Sequence, residues 1–175
     1  MSKAVIALAS AFYLICNMPA VSKAEYFSNT SGGKPVDTQQ AGAQAFVAIS
    51  EIMLGLANLE LQKDAEAKIR FDNAVATLKE AAEQFQALAE TNADVVLESK
   101  FPNAAAELTQ TMKVDASRIA TVGDVLELTS LALITTADVL GNFANDPTSD
   151  QYTAVRKSIA NMLRAGDLSS KLLQQ

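Results

Sequence analysis

The stretch from Asp115 to Asn145 constrains the fold more than any other. From Ile119 to Phe143 its only charged side chains are Asp124, Glu127 and Asp138, and the run from Leu128 to Ala137 carries no charge at all. A helix that is apolar around most of its circumference belongs inside a bundle or a membrane. A bilayer span needs roughly 20 apolar residues, about twice the length of this run. The stretch therefore predicts a buried core helix with the other segments as its packing partners. Its β-branched residues, among them Val122, Val125, Ile134, Thr135, Thr136 and Val139, argue for strand. Their three-and-four spacing with Leu126, Leu133 and Leu140 outweighs that argument.

The flanking segments carry the same helical period. Asp37 followed by Gln40 has the pattern of a capping box, and Ala45, Ala48, Ile49, Ile52, Leu56 and Leu59 then share one face, which Phe46 and Met53 widen. Gly55 lies on that face. In a helix interior it costs about 1 kcal/mol relative to Ala, so close approach of a neighbouring helix is expected there. A break at Gln62-Lys63-Asp64, with Asp64 as N-cap, divides this helix from the next and favours a hairpin. Phe71, Leu78 and Phe85 recur every seven residues, as do Ala74, Ala81 and Leu88, which sets large rings between alanines. Lys79, Glu80, Glu83 and Glu90 fall off that stripe, and the helix should end near Thr91-Asn92.

Beyond it, Phe101-Pro102 reads as an interruption, Asn103 as the cap of a short helix to about Lys113, and Asp115 as the cap of the central helix. Gly141-Asn142 and Asn145-Asp146-Pro147 close the central helix. Ser149 or Asp150 starts the last one, whose face of Tyr152, Val155, Ile159, Met162 and Leu163 is weakened at Gly166-Asp167. Its basic residues Arg156, Lys157, Arg164 and Lys171 are expected to pair with Glu80, Glu83 or Glu90.

These readings predict an all-α fold, a four- to five-helix antiparallel bundle forming a single domain over residues 37–175. An alternative is a set of tetratricopeptide-like helical hairpins. Leu54-Gly55, Ala67, Phe71 and Ala74 are similar in spacing to one such unit over about 34 residues. Glu51 stands where the unit has an aromatic, Lys79 where it closes on proline, and no second copy follows.

The N-terminus has the form of an export signal. Lys3 provides the positive start, Ala4 to Met18 is uncharged and mostly apolar, and Ala24 ends a small-residue cleavage pattern. The expectation is a signal peptide over 1–24, a flexible Gly/Ser-containing lead-in over 25–36, and a periplasmic or secreted product with no stable membrane span after cleavage. Cleavage would remove Cys16, the only cysteine, and with it any disulfide or thiolate chemistry. Loss of Lys3 and Lys23 would leave 12 basic against 20 acidic residues, a net charge of −8. An acidic surface of that size does not suit nucleic acid or anionic lipid.

The chain contains no histidine. That removes Ser-His-Asp and Cys-His catalysis, His-ligated zinc sites and the Glu-x-x-His motif of di-iron bundles. Glu80-Ala-Ala-Glu83 reads as a solvated face, and no phosphate-binding glycine loop is present. No catalytic residue, metal ligand or cofactor is therefore expected, and a hydrolase using carboxylates alone is the remote enzymatic alternative. One polar feature falls inside the apolar helix: Val122, Thr129 and Thr136 lie seven apart, with Ser130 beside Thr129. Such hydroxyls usually bond the carbonyl of their own preceding turn. The sharper alternative makes Thr129, Ser130 and Thr136 contacts to a ligand or partner in an inter-helix pocket. The preferred function is a protein-binding or scaffold module that presents helix faces to a partner or to itself. A small-molecule-binding or sensor domain is the second reading.

Overall fold

A computed structural model describes residues 38–98 and 101–173. The leader expected over 1–24, the lead-in over 25–36 and the expected cap Asp37 lie outside the described residues. Among those described, five α-helices and one short 3₁₀ turn account for the regular structure: α1 (Gln39–Glu60), α2 (Asp64–Thr91), α3 (Pro102–Met112), the 3₁₀ turn Ala116–Arg118, α4 (Val122–Asn145) and α5 (Ser149–Leu172). The chain is an all-α bundle.

Residues 39–91 form a hairpin. Gln62, in the left-handed region at φ 57°, turns the chain, and its amide donates to Leu59 O at 3.0 Å while that of Lys63 donates to Asn58 O at 2.9 Å. This pair of reversed bonds is a Schellman motif, which satisfies the last carbonyls of α1. The end of α3 repeats it at Lys113, φ 56°, with Val114 N donating to Thr109 O at 3.0 Å.

Contacts run in opposite directions along each packed pair. Gln44 reaches Glu80, and Glu51 reaches Arg70. Between α2 and α4, Ser130 meets Ala82, Asp138 meets Lys79, and the Phe143 ring meets Phe71. Between α4 and α5, Thr129 meets Ser169, Thr136 meets Ser158, and Phe143 meets Tyr152. All three pairings are antiparallel. α4 is the hub, packed between α2 on one side and α5 on the other, with α1 outside α2 and α3 against α5. The Phe71, Leu78 and Phe85 repeat is buried with its alanines, as the seven-residue spacing predicts. α4 and α5 form a second antiparallel hairpin, packed on the first through α2 and α4, and the helices make one bundle.

Two close approaches fix the register. A Cβ on Gly55 would sit 2.4 Å from a ring carbon of Phe71, so α1 is held against that ring, as the sequence predicts for this glycine. At Gly123 a Cβ would meet Ala89 O and Ala93 Cα at 2.8 Å. The first amides of α4 are spent in the same place: Val122 N donates to Val95 O at 2.8 Å and Gly123 N to Asn92 O at 3.1 Å.

Several element ends differ from expectation, each for a local reason. Pro102 opens α3 instead of interrupting it, because proline at the first helical position gives up only an amide that lacks a helical partner anyway; Phe101, not Asn103, is the N-cap. Lys63, not Asp64, occupies the N-cap of α2. Asp115 caps the 3₁₀ turn by accepting from Ser117 N at 2.8 Å, and α4 begins after Thr121, whose hydroxyl and Asp124 form a reciprocal capping box. Thr148 and Gln151 do the same for α5, which begins at Ser149 and runs unbroken through Gly166. The basic residues of α5 do not meet the α2 glutamates. α5 packs on α3 and α4, so Arg164 pairs with Glu107 and Lys171 with Asp167, at 2.8 Å.

Candidate functional site

The hydroxyl line on α4 is buried, with Thr129 7%, Ser130 2% and Thr136 1% exposed. Thr129 Oγ1 lies 2.9 Å from Val125 O, in its own preceding turn, and 2.8 Å from Ser169 Oγ on α5. Thr136 Oγ1 lies 2.8 Å from Ala132 O and 3.0 Å from Ser158 Oγ. Ser130 points the other way and donates to Ala82 O on α2 at 2.8 Å. The three residues therefore do not converge. Two face α5, one faces α2, and each hydroxyl has a protein partner. Sequence reasoning did not find Ser158 and Ser169. Their only signal is position: they stand eleven apart, about three helical turns, so they share one face of α5.

A second feature is the outer side of α1. Its inner face, Ala41, Ala48, Ile52, Gly55 and Leu56, is buried against α2. Two of its polar residues turn toward α2 as well: Gln44 Nε2 donates to Glu80 Oε1 at 2.7 Å and Arg70 Nη1 donates to both oxygens of Glu51 at 3.1 Å. The side left outward carries Ala43, Phe46, Val47, Ser50, Met53, Leu54, Ala57 and Leu61, so Phe46 and Met53, expected to widen the inner face, lie on the outer one. These positions follow the three-and-four spacing of one helical stripe. Val47 is 52% exposed, Leu54 48% and Leu61 65%. Among the described residues α1 is the one helix long and apolar enough to cross a membrane, and only 22% of its apolar window is buried.

A pocket of about 390 Å³ opens where the α1–α2 turn meets the C-terminal end of α4. Leu59, Ala65, Phe71, Phe143 and Pro147 form apolar walls, and Asp64 and Lys68 bring charge to them. Lys68 Nζ donates to Asp72 Oδ1 and Asn145 Oδ1, both at 3.2 Å.

The acids with perturbed protonation serve the backbone. Burial pushes the Asp124 carboxyl up, but the amides of Ala120 and Thr121, the Thr121 hydroxyl and the Arg118 guanidinium together hold it below its ordinary range. Asp115 is also held low, by the Ser117 hydroxyl and amide. Among the described residues no group of three or more metal-ligating side chains comes together. Comparison with protein families, with curated proteins and with solved structures finds no match. What the chain does must therefore be argued from these surfaces.

Proposed function

We propose that the protein is an exported, non-enzymatic helical bundle that works as a protein-binding or scaffold module. The observation that carries this reading is the outer face of α1, where Val47, Leu54 and Leu61 lie exposed in one uncharged stripe. Isolated surface leucines need no explanation, but an apolar stripe running the length of a helix is the form that protein contact surfaces take. The hydrogen-bonding of Thr129, Ser130 and Thr136 within the bundle adds support, since each hydroxyl already has its partner. The carboxylates point the same way: Asp115 and Asp124 serve as caps and Glu51 pairs with Arg70.

The test is affinity capture of the processed chain from its own envelope or secretion fraction, with Leu54→Glu as control. A protein partner lost on that substitution supports the reading; a co-purifying small molecule and no protein partner overturns it. A small-molecule-binding domain is favoured by one observation, the pocket between the α1–α2 turn and the end of α4. Under that reading an amphiphile of modest size would be recovered by mass spectrometry of the native protein, and Ala65→Trp, which fills the pocket, would abolish its recovery.

A further inference from the structure

We propose that the outer face of α1 is a self-association surface on which a second copy of this chain docks antiparallel, centred on Ser50. The inference rests on the protein-binding reading above and names the partner.

Three observations select a second copy. First, side-chain size along the stripe is symmetric about Ser50. Small residues stand at Ala43, Ser50 and Ala57, seven apart, and large pairs stand between them, Phe46 with Val47 and Met53 with Leu54. An antiparallel copy centred on Ser50 brings Ala43 opposite Ala57, Phe46 opposite Leu54, Val47 opposite Met53 and Ser50 opposite itself. Small rows let the backbones approach while the large pairs interleave, and a two-fold interface must be self-complementary in this way. Second, Ser50 carries the only hydroxyl at the centre, and it already donates to Phe46 O at 3.2 Å within its own helix. Burying it leaves no unmet hydrogen bond. Third, the charges fit. The chain has a net charge of −6, so most of its surface repels a copy of itself, but the stripe from Ala43 to Ala57 contains no charged residue. The antiparallel register also keeps the two Glu60 side chains at opposite ends of the interface. A parallel copy would set Glu60 against Glu60.

The test uses disulfide trapping and mass measurement on the processed chain, with Cys16→Ser where Cys16 is retained. Ser50→Cys should form a covalent dimer under mild oxidation. Ala43→Cys alone should not, whereas a mixture of Ala43→Cys and Ala57→Cys chains should cross-link to each other. Light scattering should give twice the chain mass. Val47→Glu with Leu54→Glu should weaken association by on the order of 100-fold or more, since each new charge would be buried at the interface centre. A circular dichroism spectrum unchanged by the two glutamates separates lost association from lost folding.

A monomer at all concentrations overturns the proposal, as does cross-linking of Ala43→Cys to itself. Binding of the monomer to phosphatidylcholine vesicles, lost with the two glutamates, overturns it in favour of a membrane surface. Capture of a different protein by a monomeric chain also overturns the second copy while leaving the binding-module reading intact.

Discussion

Phe71 joins three helices through one ring. It is 2% exposed, sits over Gly55 of α1, and meets Phe143 of α4 edge-on with centroids 5.4 Å apart. Gly55→Ala therefore sets two effects against each other. Helix propensity alone would stabilise by about 1 kcal/mol. A Cβ within 3.0 Å of three carbons of the Phe71 ring forces that ring to shift against Phe143 and the pocket it lines, and a net loss of about 1 kcal/mol is expected. Gly166→Ala is the control, because nothing lies within 4 Å of a Cβ there, and it should gain about 0.5–1 kcal/mol. Denaturant unfolding of the two variants reads the opposite signs. Thr129 and Ser169 make a second residue-level case. Thr129→Val removes the partner of a hydroxyl that is 3% exposed, so a loss of about 1–2 kcal/mol is expected. Thr129→Val with Ser169→Ala removes both ends and should recover most of that loss. A double-mutant cycle by chemical denaturation measures the difference, and purely additive losses would contradict a Thr129–Ser169 bond.

The helix ends show which local signals the sequence carries in legible form. The helix break at Gln62-Lys63 and the end of α2 at Thr91 fall where the sequence pattern sets them. The caps at Thr121 and Thr148 are visible as Thr-x-x-Asp and Thr-x-x-Gln, yet the other cap-forming residues nearby, Asp115, Ser149 and Asp150, compete for the same role in a linear reading. The two Schellman turns were not readable, because their left-handed positions hold Gln62 and Lys113 where glycine or asparagine is the usual signal. The capping box of α4 has a pH signature. Asp124 is held below its ordinary value of 3.8 in the folded chain, so its stabilising contribution is full above that value. It is lost as pH falls through the lower folded value. The stability difference between the parent chain and Asp124→Asn should therefore be constant at neutral pH and shrink in acid below about pH 4. Thermal melts from pH 2 to 7 check this, and a gap that widens on acidification would contradict it.

Across the bundle, packing is uneven in a way that orders its dynamics. α4 contributes to both buried clusters, one with α1 and α2 and one with α3, and α5 shares in each. Among the described residues α1 packs chiefly on α2. Native-state hydrogen exchange should accordingly be slowest in the middle of α4, around Leu126 to Leu140, and faster in α1, with global opening needed to release the former. Comparable protection in α1 of a monomeric chain would contradict that order. The sequence by itself determined that the chain is helical, where the long helices run, and that Asp115 to Asn145 lies at their centre. Those properties are written in period and charge along the chain: a mostly apolar helix packs on all but one narrow side, which carries Glu127, Leu131, Ile134 and Asp138. Which helices touch, and which faces remain outside, only the tertiary structure decided. The sequence pattern puts Ala45, Ala48, Ile52 and Leu56 on one face of α1, and among the described residues it is α2 that covers that face and leaves Val47, Leu54 and Leu61 exposed. Ser130 likewise looks like a neighbour of Thr129, and only the position of α2 and α5 on opposite sides of α4 sends their hydroxyls apart.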